Sequence, residues 1–454
     1  MNRRYRVFEI LSVVDEGLGH SSYVVGLGDG AALVIDPARF PTAQRELAEA
    51  RGWRVAWTAD THSHADYISG SPELAATGAT FLAPREARLE VAHTPVDPGD
   101  EIPLAEGITL KALATPGHTP EHLAYLLMHE GKPAALFSGG SLMVGALGRT
   151  DLLGPDHRDE LTRQLYQAIQ RNILTLPDDL PVYPTHGAGS FCAAPAGAER
   201  TTTIGQERSS NALLAIHDED MFVRAMVSEL GSFPDYFRAL PGINQRGPRL
   251  YPKVPDLPRL RAAEVKQLLD DGAVMVDARP ISDFATAHPS GAISIEHRPT
   301  FASWLGWLID LNRPVVFLAN DDTDRNDLMR QCFTVGHEAV AGELSGGLNA
   351  WRAAGYPVST IALVSPGAMN PTVLDIRHDA EWNAGHLPGA VHVELGSLAE
   401  FAPAAGALTV MCGHGERAMT GASILAANGH SAVTVLNGGP DDWERLTGTA
   451  LATT

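Results

Sequence analysis

The N-terminal part of the chain alternates short apolar runs with polar loops, a pattern typical of strands in an α/β domain. Apolar runs at residues 23–25, 32–35, 108–113 and 134–137 predict strands. Residues 159–174 carry apolar side chains at helical spacing and predict an α-helix. We therefore expect an α/β fold for this region.

Three histidine-bearing clusters follow apolar strands in the same region. They read THSHAD at 61–66, TPGHT at 115–119 and PTHGAG at 184–189. Because α/β folds tend to place their sites at strand ends, we expect these clusters to converge on one pocket. Neutral imidazoles and a carboxylate in such a pocket suit Zn or Fe.

A proline-rich stretch at 247–258 predicts a linker, since prolines at this density stop helices and central strands. Beyond it the chain repeats itself. Asp277 and His288 in the first repeat recur at the same spacing as Asp375 and His386 in the second repeat. Each repeat closes with two glycines and a tryptophan, at 346–351 and 438–443. We predict domains at 1–255, 256–358 and 359–454.

The second repeat contains a candidate nucleophile. An apolar strand at 408–411 runs into Cys412, and a helix-compatible run follows at 418–427. At a helix N-terminus, free backbone N–H groups favour a thiolate and can cradle a persulfide. Arg417 is expected to anchor this loop and to add positive charge. The residues between the two form the predicted persulfide-binding loop: Gly413, His414, Gly415 and Glu416.

The first repeat has Asn320 at the position of this cysteine, followed by aspartates at 321, 322 and 324. An amide cannot carry sulfur and the carboxylates repel anions, so we predict an inactive copy. The other two cysteines, Cys192 and Cys332, are expected to be packed thiols.

Composition excludes several function classes. The chain has 454 residues, which at roughly 150 residues per domain suggests about three domains. Its formal charge of -20 argues against a nucleic-acid partner. The apolar runs are shorter than the roughly 18 residues needed to span a bilayer. Residues 1–9 lack the apolar segment of a secretion signal, so we expect a cytoplasmic protein.

The two repeats resemble rhodanese domains. The resemblance rests on Asp-x-Arg, on HLPGA at 386–390, on the Cys-x4-Arg loop and on the terminal Gly-Gly and Trp. It implies a sulfurtransferase in which Cys412 accepts sulfane sulfur and passes it on. The implied donors are a low-molecular-weight thiol persulfide or thiosulfate, and the negative Glu416 is expected to disfavour dianionic thiosulfate.

The N-terminal region resembles the metallo-β-lactamase superfamily. Its signature is matched by His62, His64, Asp66 and Tyr67, and two later histidines of the family correspond to His118 and His186. Within the superfamily, the chain is most similar to persulfide dioxygenase–rhodanese fusions. The resemblance implies an αββα sandwich, oxidation of a thiol persulfide to sulfite at a single Fe(II), and a tendency to form homo-oligomers.

Two residues depart from that pattern. Tyr67 replaces a histidine that binds the second metal in binuclear relatives, which disfavours a thioester hydrolase of the glyoxalase II type. Gly140 replaces the aspartate that the dioxygenases use as an iron ligand with the residues matching His62 and His118.

Three alternatives follow for the metal, which would be iron or zinc if one is bound. In the first, His64 supplies a third nitrogen beside His62 and His118. In the second, a weak two-histidine site remains. In the third, metal binding is lost and the pocket binds persulfides or thiols for Cys412. Asp66, near the metal pocket, is either a former second-metal ligand or a helix N-cap. His122 is expected on the surface or in a strand rather than among the ligands.

Overall fold

The computed structural model describes residues 8–187, 189–192, 199–402, 406–430 and 432–453. The N-terminal segment 1–7 and Ala188 of the third histidine cluster lie outside the described residues. The chain forms two compact units, one of Met1–Val254 with Phe333–Gly336 and the other of Pro255–Cys332 with His337–Thr454. Residues 247–258 form neither helix nor strand, as the prolines predict.

The first unit contains two six-stranded sheets, with strand orders β1-β2-β3-β4-β5-β6 and β14-β13-β10-β9-β8-β7. The strands are β1 Glu9–Asp15, β2 His20–Gly26, β3 Ala31–Ile35, β4 Arg54–Ala59, β5 Thr80–Pro84, β6 Thr94–Val96, β7 Glu101–Ala105, β8 Ile108–Ala114, β9 Leu123–His129, β10 Lys132–Gly139, β11 Leu142–Met143, β12 Ala146–Leu147, β13 Pro181–Pro184 and β14 Thr202–Thr203. The helices are α1 Thr42–Glu49, α2 Ser71–Ala75, α3 Pro155–Ala168, α4 Ile204–Ser210, α5 Glu219–Ser228 and α6 Leu240–Arg246, with short 3₁₀ turns at Arg85–Ala87 and Asp235–Arg238.

Strand alternation produces the layers of this unit. Successive side chains of a strand point to opposite faces, and β2 is buried on both. Tyr23 and Val25 enter the core between the two sheets, whereas Val24 joins a second core with Ala48 of α1. A third core lies where the other sheet meets Leu165 of α3. Helices thus cover the outer faces, which confirms the predicted αββα sandwich.

The four predicted strands lie within β2, β3, β8 and β10. The predicted helix begins earlier than expected, at Pro155, because Gly154 takes a left-handed φ of 94° and proline is well suited to a first helical turn. Its C-terminal part is a π-helical turn, Ile169–Ile173. No helix in the described part of the chain is both long enough and apolar enough to cross a membrane.

The second unit contains two five-stranded parallel sheets of the same connectivity, β15-β20-β19-β16-β18 and β22-β26-β25-β23-β24. The first repeat comprises β15 Arg259–Leu260, α7 Ala262–Asp270, β16 Val274–Asp277, α8 Ile281–Thr286, β17 His288–Pro289, β18 Ile293–Ser294, α9 Phe301–Leu308, β19 Val315–Leu318, α10 Arg325–Thr334, β20 Val340–Leu344, α11 Gly347–Ala353 and β21 Val358–Ser359. The second comprises β22 Ala362–Val364, β23 Thr372–Asp375, α12 Asp379–Ala384, β24 Val391–His392, β25 Leu408–Met411, α13 Glu416–Ala427, β26 Val433–Leu436 and α14 Pro440–Thr447, with 3₁₀ turns at Pro366–Ala368 and Leu395–Glu400.

In each repeat, the Asp-x-Arg motif links the end of the second strand to the segment that carries the motif histidine. Arg279 Nη2 lies 2.6 Å from Asp277 Oδ2, and Arg377 Nη2 lies 2.7 Å from Asp375 Oδ2. Each Nη2 also donates, at 2.8 Å, to the carbonyl of the residue that precedes the motif histidine. The aspartates are buried, so the paired guanidinium offsets the cost of burying their charge.

The motif histidines stack on aromatic rings four residues earlier. His288 lies on Phe284 with ring centroids 3.7 Å apart, and His386 lies on Trp382 at 3.6 Å. Each histidine Nδ1 also lies within hydrogen-bond distance of the carbonyl oxygen of that aromatic residue. The motif therefore stabilises the same scaffold in both repeats, although only the second repeat has a cysteine in its loop.

Candidate functional site

The three histidine clusters of the first unit meet in the fold. His62 and His64 follow β4, His118 follows β8 and His186 follows β13, and all four side chains are buried. The ring centroids of His62 and His118 are 4.9 Å apart, those of His118 and His186 5.4 Å. Strand ends separated by more than a hundred residues in sequence thus line one pocket.

Three of these rings, His62, His118 and His186, form what we call the histidine cluster. Each offers a nitrogen within 4.8 Å of the others. His62 Nδ1 contacts Thr61 Oγ1 at 2.9 Å, and His118 Nδ1 contacts the carbonyl of Arg149 at 2.8 Å. Within the described part of the chain, Nε2 of each of the three rings has no hydrogen-bond partner, and the same is true of Nδ1 of the neighbouring His64.

This arrangement fits a metal ion. Buried polar atoms are nearly always satisfied, so convergent unpartnered imidazole nitrogens call for a ligand. The Nδ1 contact of His118 to a backbone carbonyl keeps its Nε2 lone pair directed into the cluster, as in metal-ligating histidines. Burial lowers the pKa of His118 to about 3, which favours the neutral ring that a metal requires.

His64, the predicted third ligand, lies in an adjoining group with Asp66 and His186. Its Nε2 is 3.2 Å from Asp36 Oδ1 and 3.1 Å from the Tyr67 hydroxyl. Burial would lower the pKa of His64, but Asp36, together with Asp60 and Asp66, raises it. Among the described residues, Nδ1 of His64 has no hydrogen-bond partner, so Asp36 occupies only one nitrogen of the ring. The ring lies 4.2 Å from that of His62 between centroids, and the role of His64 as a ligand stays a prediction.

Asp66 faces the pocket and is not a helix N-cap, so that alternative is wrong. The nearby helix α2 begins at Ser71 with Gly70 as its N-cap. Asp66 Oδ2 lies 3.3 Å from His186 Nδ1. Burial would raise the pKa of Asp66, but His186 lowers it to about 2, so the carboxylate is charged.

Tyr67 packs against His64 and helps to hold its ring in place. Its ring stacks on that of His64 with centroids 4.3 Å apart, and its hydroxyl lies 3.4 Å from the carbonyl of Asp36. Burial raises the pKa of Tyr67 well above its usual value, so the phenol stays neutral. A neutral phenol is a poor substitute for the second-metal histidine of binuclear relatives.

The His118 ring occupies the space that a side chain at Gly140 would need. A Cβ at Gly140 would overlap the ring, with Cγ and Nε2 both 2.9 Å away. The Gly140 N–H donates to His122 Nε2 at 2.9 Å, and His122 Nδ1 lies 2.7 Å from Thr115 Oγ1. His122 was expected on the surface or in a strand, but it is buried, and no motif in the sequence predicted this role.

Cys192 and Cys332 are buried free thiols. Burial raises the pKa of each well above its usual value, which disfavours the reactive thiolate. Cys332 lies within α10, and the burial of both cysteines agrees with the packed thiols expected from the sequence.

Cys412 lies between the end of β25 and the start of α13, and it is buried. Gly415 takes a φ of 112° as the N-cap residue of α13, a conformation that favours glycine. The backbone N–H groups of Gly415 and Ala418 point to Cys412 Sγ at 3.1 and 3.4 Å. The loop therefore supplies donors to a negative charge on this sulfur.

Arg417 is held by a carboxylate that the sequence analysis missed. Its Nη1 and Nη2 each lie 2.7 Å from an oxygen of Glu381 in α12. Burial would lower the pKa of Arg417, but Glu381 raises it. The repeat itself carried the signal, since Asp283 stands at the matching position and accepts from Asn320 Nδ2 at 2.8 Å. One acidic position thus holds the loop in both repeats.

The Gly-Gly pair of the second repeat allows close approach to this loop. A Cβ at Gly439 would overlap the carbonyl oxygen of Gly413. The Gly439 N–H donates to Asp442 Oδ2 at 2.9 Å, which holds the pair at the start of α14. The terminal glycine motif is therefore a packing requirement of the cysteine loop.

Comparison with known proteins agrees with both halves of the chain. The family model of the metallo-beta-lactamase superfamily matches residues 15–186, and the rhodanese-like domain model matches 261–354 and 363–446. The human mitochondrial persulfide dioxygenase ETHE1 is 30% identical over 199 residues, which cover 43% of this chain and 70% of that protein. These matches confirm the resemblances drawn from the sequence.

Two further relatives widen the comparison. A hydroxyacylglutathione hydrolase of Polaromonas sp. is 36% identical over 162 residues, 35% of this chain and 57% of that enzyme. The chain therefore matches little more than half the length of this hydrolase. A crystal structure of a metallo-beta-lactamase from Staphylococcus aureus superposes with a TM-score of 0.66 and 27% identity, covering 74% of this chain and 99% of that one.

Replacing Gly140 with aspartate tests whether His118 has closed the carboxylate position. We expect Gly140→Asp to destabilise the first unit by about 2 kcal/mol or more, because the new side chain must displace a buried ring. Thermal unfolding and metal content of the purified protein measure this. Gly231→Asp is the control, since its Cβ would meet no atom within 4 Å. Undiminished stability with increased metal content would show that His118 gives way.

Replacing Gly439 with alanine tests the close approach to the cysteine loop. We expect a loss of about 1–3 kcal/mol, since backbone atoms on both sides must move. The apparent melting temperature of the second unit measures it. Gly367→Ala, in the same repeat, is matched in chemistry, and its Cβ would lie at an ordinary 3.7 Å from Leu446. Equal melting temperatures for the two variants would contradict the packing argument.

Proposed function

Because the chain belongs to the metallo-β-lactamase superfamily and carries two rhodanese-like domains, we propose that it is an enzyme of sulfane-sulfur metabolism that transfers sulfur through Cys412. The observation that carries this proposal is the pair of backbone N–H groups on Cys412 Sγ. We assign the three parts to domains 1–255, 256–358 and 359–454, with the middle one inactive because it has Asn320 at the cysteine position.

The proposed transfer has two steps. The Cys412 thiolate attacks the outer sulfur of the donor, so that a new S–S bond forms while the donor S–S bond breaks. Thiosulfate releases sulfite, and a thiol persulfide releases the thiolate. The terminal sulfur of the Cys412 persulfide is then taken by an acceptor nucleophile, and the Cys412 thiolate is regenerated. Gly415 and Ala418 N–H groups stabilise the anionic sulfur in both steps.

Arg417 has a positioning role in this proposal. Its guanidinium is engaged with both oxygens of Glu381, so it anchors the loop from the side of α12. A bidentate pair restricts orientation as well as adding energy. The loop amides then keep their direction toward Sγ when the sulfur changes charge.

We propose that the N-terminal domain holds one metal ion between His62, His118 and His186. The grouping of one nitrogen from each ring within 4.8 Å supports this set, and the unpartnered Nδ1 of His64 keeps the predicted set with His64 as the alternative. Bound iron would supply oxygen activation for persulfide oxidation, the activity that the name of the human relative describes. Thr61 and the Arg149 carbonyl orient two of the rings, and burial of the pocket excludes bulk water.

A thioester hydrolase is the second candidate for this domain. The second group of His64, Asp66 and His186 favours it, because binuclear hydrolases use two adjacent ligand sets. The match to the hydroxyacylglutathione hydrolase points the same way. Tyr67 opposes it, since its neutral phenol takes the place of a second-metal ligand. A metal-free pocket that delivers thiol persulfides to Cys412 is the non-enzymatic alternative.

Cys412→Ser should abolish sulfur transfer, with a loss of about a hundredfold or more in turnover. A hydroxyl in the same cradle cannot form the persulfide. Turnover with cyanide as acceptor measures the rate, and mass spectrometry detects the sulfur atom added to Cys412. Cys332→Ser serves as the matched control and should keep the activity. Retained turnover in Cys412→Ser would disprove the assignment.

Removal of single histidines identifies the metal ligands. We expect His186→Ala to reduce metal affinity about tenfold or more, whereas His64→Ala reduces it less. Metal analysis after anaerobic purification gives the occupancy, and the exposed His157→Ala in α3 is the control. The opposite ranking would favour a ligand set of His62, His64 and His118. Wild-type protein without metal would favour the metal-free pocket that delivers thiol persulfides to Cys412.

The bound metal and its reaction separate the two enzymatic candidates. Stoichiometric iron with oxygen uptake on a glutathione-type persulfide is the result expected for persulfide oxidation. Zinc with cleavage of a glutathione thioester would instead establish the hydrolase. Both assays run on the same anaerobic preparation, so metal identity and activity are compared directly.

A further inference from the structure

An arginine of the first repeat forms an ion pair with a glutamate in the cysteine loop of the second repeat. Arg298 follows β18 in the first repeat, and its Nη1 lies 3.5 Å from Oε1 of Glu416. Glu416 is the first residue of α13 and belongs to the loop that cradles Cys412 Sγ. The side chains of Arg298 and Glu416 are 33% and 29% exposed, so both remain accessible to a solute.

Packing between the repeats fixes Arg298 in this place. The backbone N–H of Ser294, at the end of β18, donates to Ser423 Oγ of α13 at 3.0 Å. Ile281 of α8 lies against the loop, since a Cβ at Gly415 would be 3.3 Å from its Cδ1. Two elements of the first repeat therefore pack on this region, α8 at the N-cap residue of α13 and β18 at Ser423 in its C-terminal half. Arg298 extends from the edge of that contact.

The charges at this edge would otherwise repel an anionic donor. Glu296, two residues before Arg298, accepts from the Ile281 N–H at 3.2 Å. Burial raises the pKa of Glu296, and Glu416 adds to the increase, which indicates that the two carboxylates share one neighbourhood. Arg298 pairs with Glu416, and its charge also acts on Glu296 by lowering the pKa of that carboxyl. Arg417 cannot take its place because Glu381 engages both terminal nitrogens.

We propose that the first repeat determines donor specificity for Cys412, with Arg298 offsetting the charge of Glu416 so that anionic sulfane-sulfur donors can approach. The inference rests on the proposed sulfur transfer and deepens it. It revises the expectation that Glu416 disfavours thiosulfate, because that expectation treated the carboxylate as unpaired. The repeat with Asn320 thus takes part in the reaction without carrying sulfur.

A donor series of decreasing charge tests this role. Thiosulfate carries two negative charges and an alkyl thiosulfonate carries one, yet both transfer an outer sulfur to a thiolate and release a sulfur oxyanion. We expect Arg298→Gln to lower the thiosulfate-to-thiosulfonate ratio of kcat/KM about two- to fivefold, mainly through KM. The effect should shrink as ionic strength rises, because both charges are partly exposed.

Compensating and control variants separate charge from structure. Glu416→Gln should restore the donor ratio when combined with Arg298→Gln, because the unpaired carboxylate is then gone. Arg298→Lys should keep the ratio near that of the wild type. Arg261→Gln removes the same charge elsewhere in the first repeat, from a residue 83% exposed, and should leave the ratio unchanged.

Three outcomes would decide the matter. The expected result is a lower ratio in Arg298→Gln that Glu416→Gln restores while Arg261→Gln has no effect. An unchanged ratio in Arg298→Gln, with transfer still dependent on Cys412, would overturn the specificity role and leave sulfur transfer intact. Wild-type protein that does not form a persulfide at Cys412 with either donor would overturn both proposals.

Discussion

A buried carboxylate, that of Asp36, ties together the loops that present the histidines. It lies at the end of β3 and accepts from the N–H and Oγ1 of Thr61 at 2.7 and 2.8 Å. It also accepts from the hydroxyl of Thr185 and contacts His64 Nε2. Burial would raise the pKa of Asp36, but His64 and these donors lower it to about 2. A buried charge is tolerated only with such partners, so the loops after β4 and β13 must meet at Asp36.

The cysteine loop obeys a comparable constraint, but it is met by backbone groups and glycines. Two amides converge on Sγ because Gly415 has a left-handed conformation, and Gly439 has no side chain to push the loop away. The first repeat keeps the same sheet order and replaces this arrangement with an amide on Asp283. The scaffold is common to both repeats, whereas the charges around the loop differ, and such charges set how well a loop stabilises an anionic sulfur.

Much of the fold was predictable from local patterns. The strand pattern, the proline linker and the repeat each depend on residues close in sequence or on direct similarity, and the structure agrees with all three. The start of α3 was misplaced because Gly154 and Pro155 determine it, rather than the apolar spacing on which the prediction relied. Asp66 was ambiguous for the same reason, since a carboxylate before a helical run looks like a cap until the helix start is known.

By itself, the sequence determined which residues can do chemistry: a cysteine before a helix with an arginine in its first turn, and histidines at three strand ends. Only the tertiary structure decided how they combine. It brought His186 close to His62 and His118, placed Nε2 of His64 against Asp36, placed the His118 ring where an aspartate at 140 would stand, and brought Arg298 of one repeat to Glu416 of the other. The physical reason is that ligand sets and ion pairs depend on distances of a few ångströms between distant segments, and packing alone sets those distances.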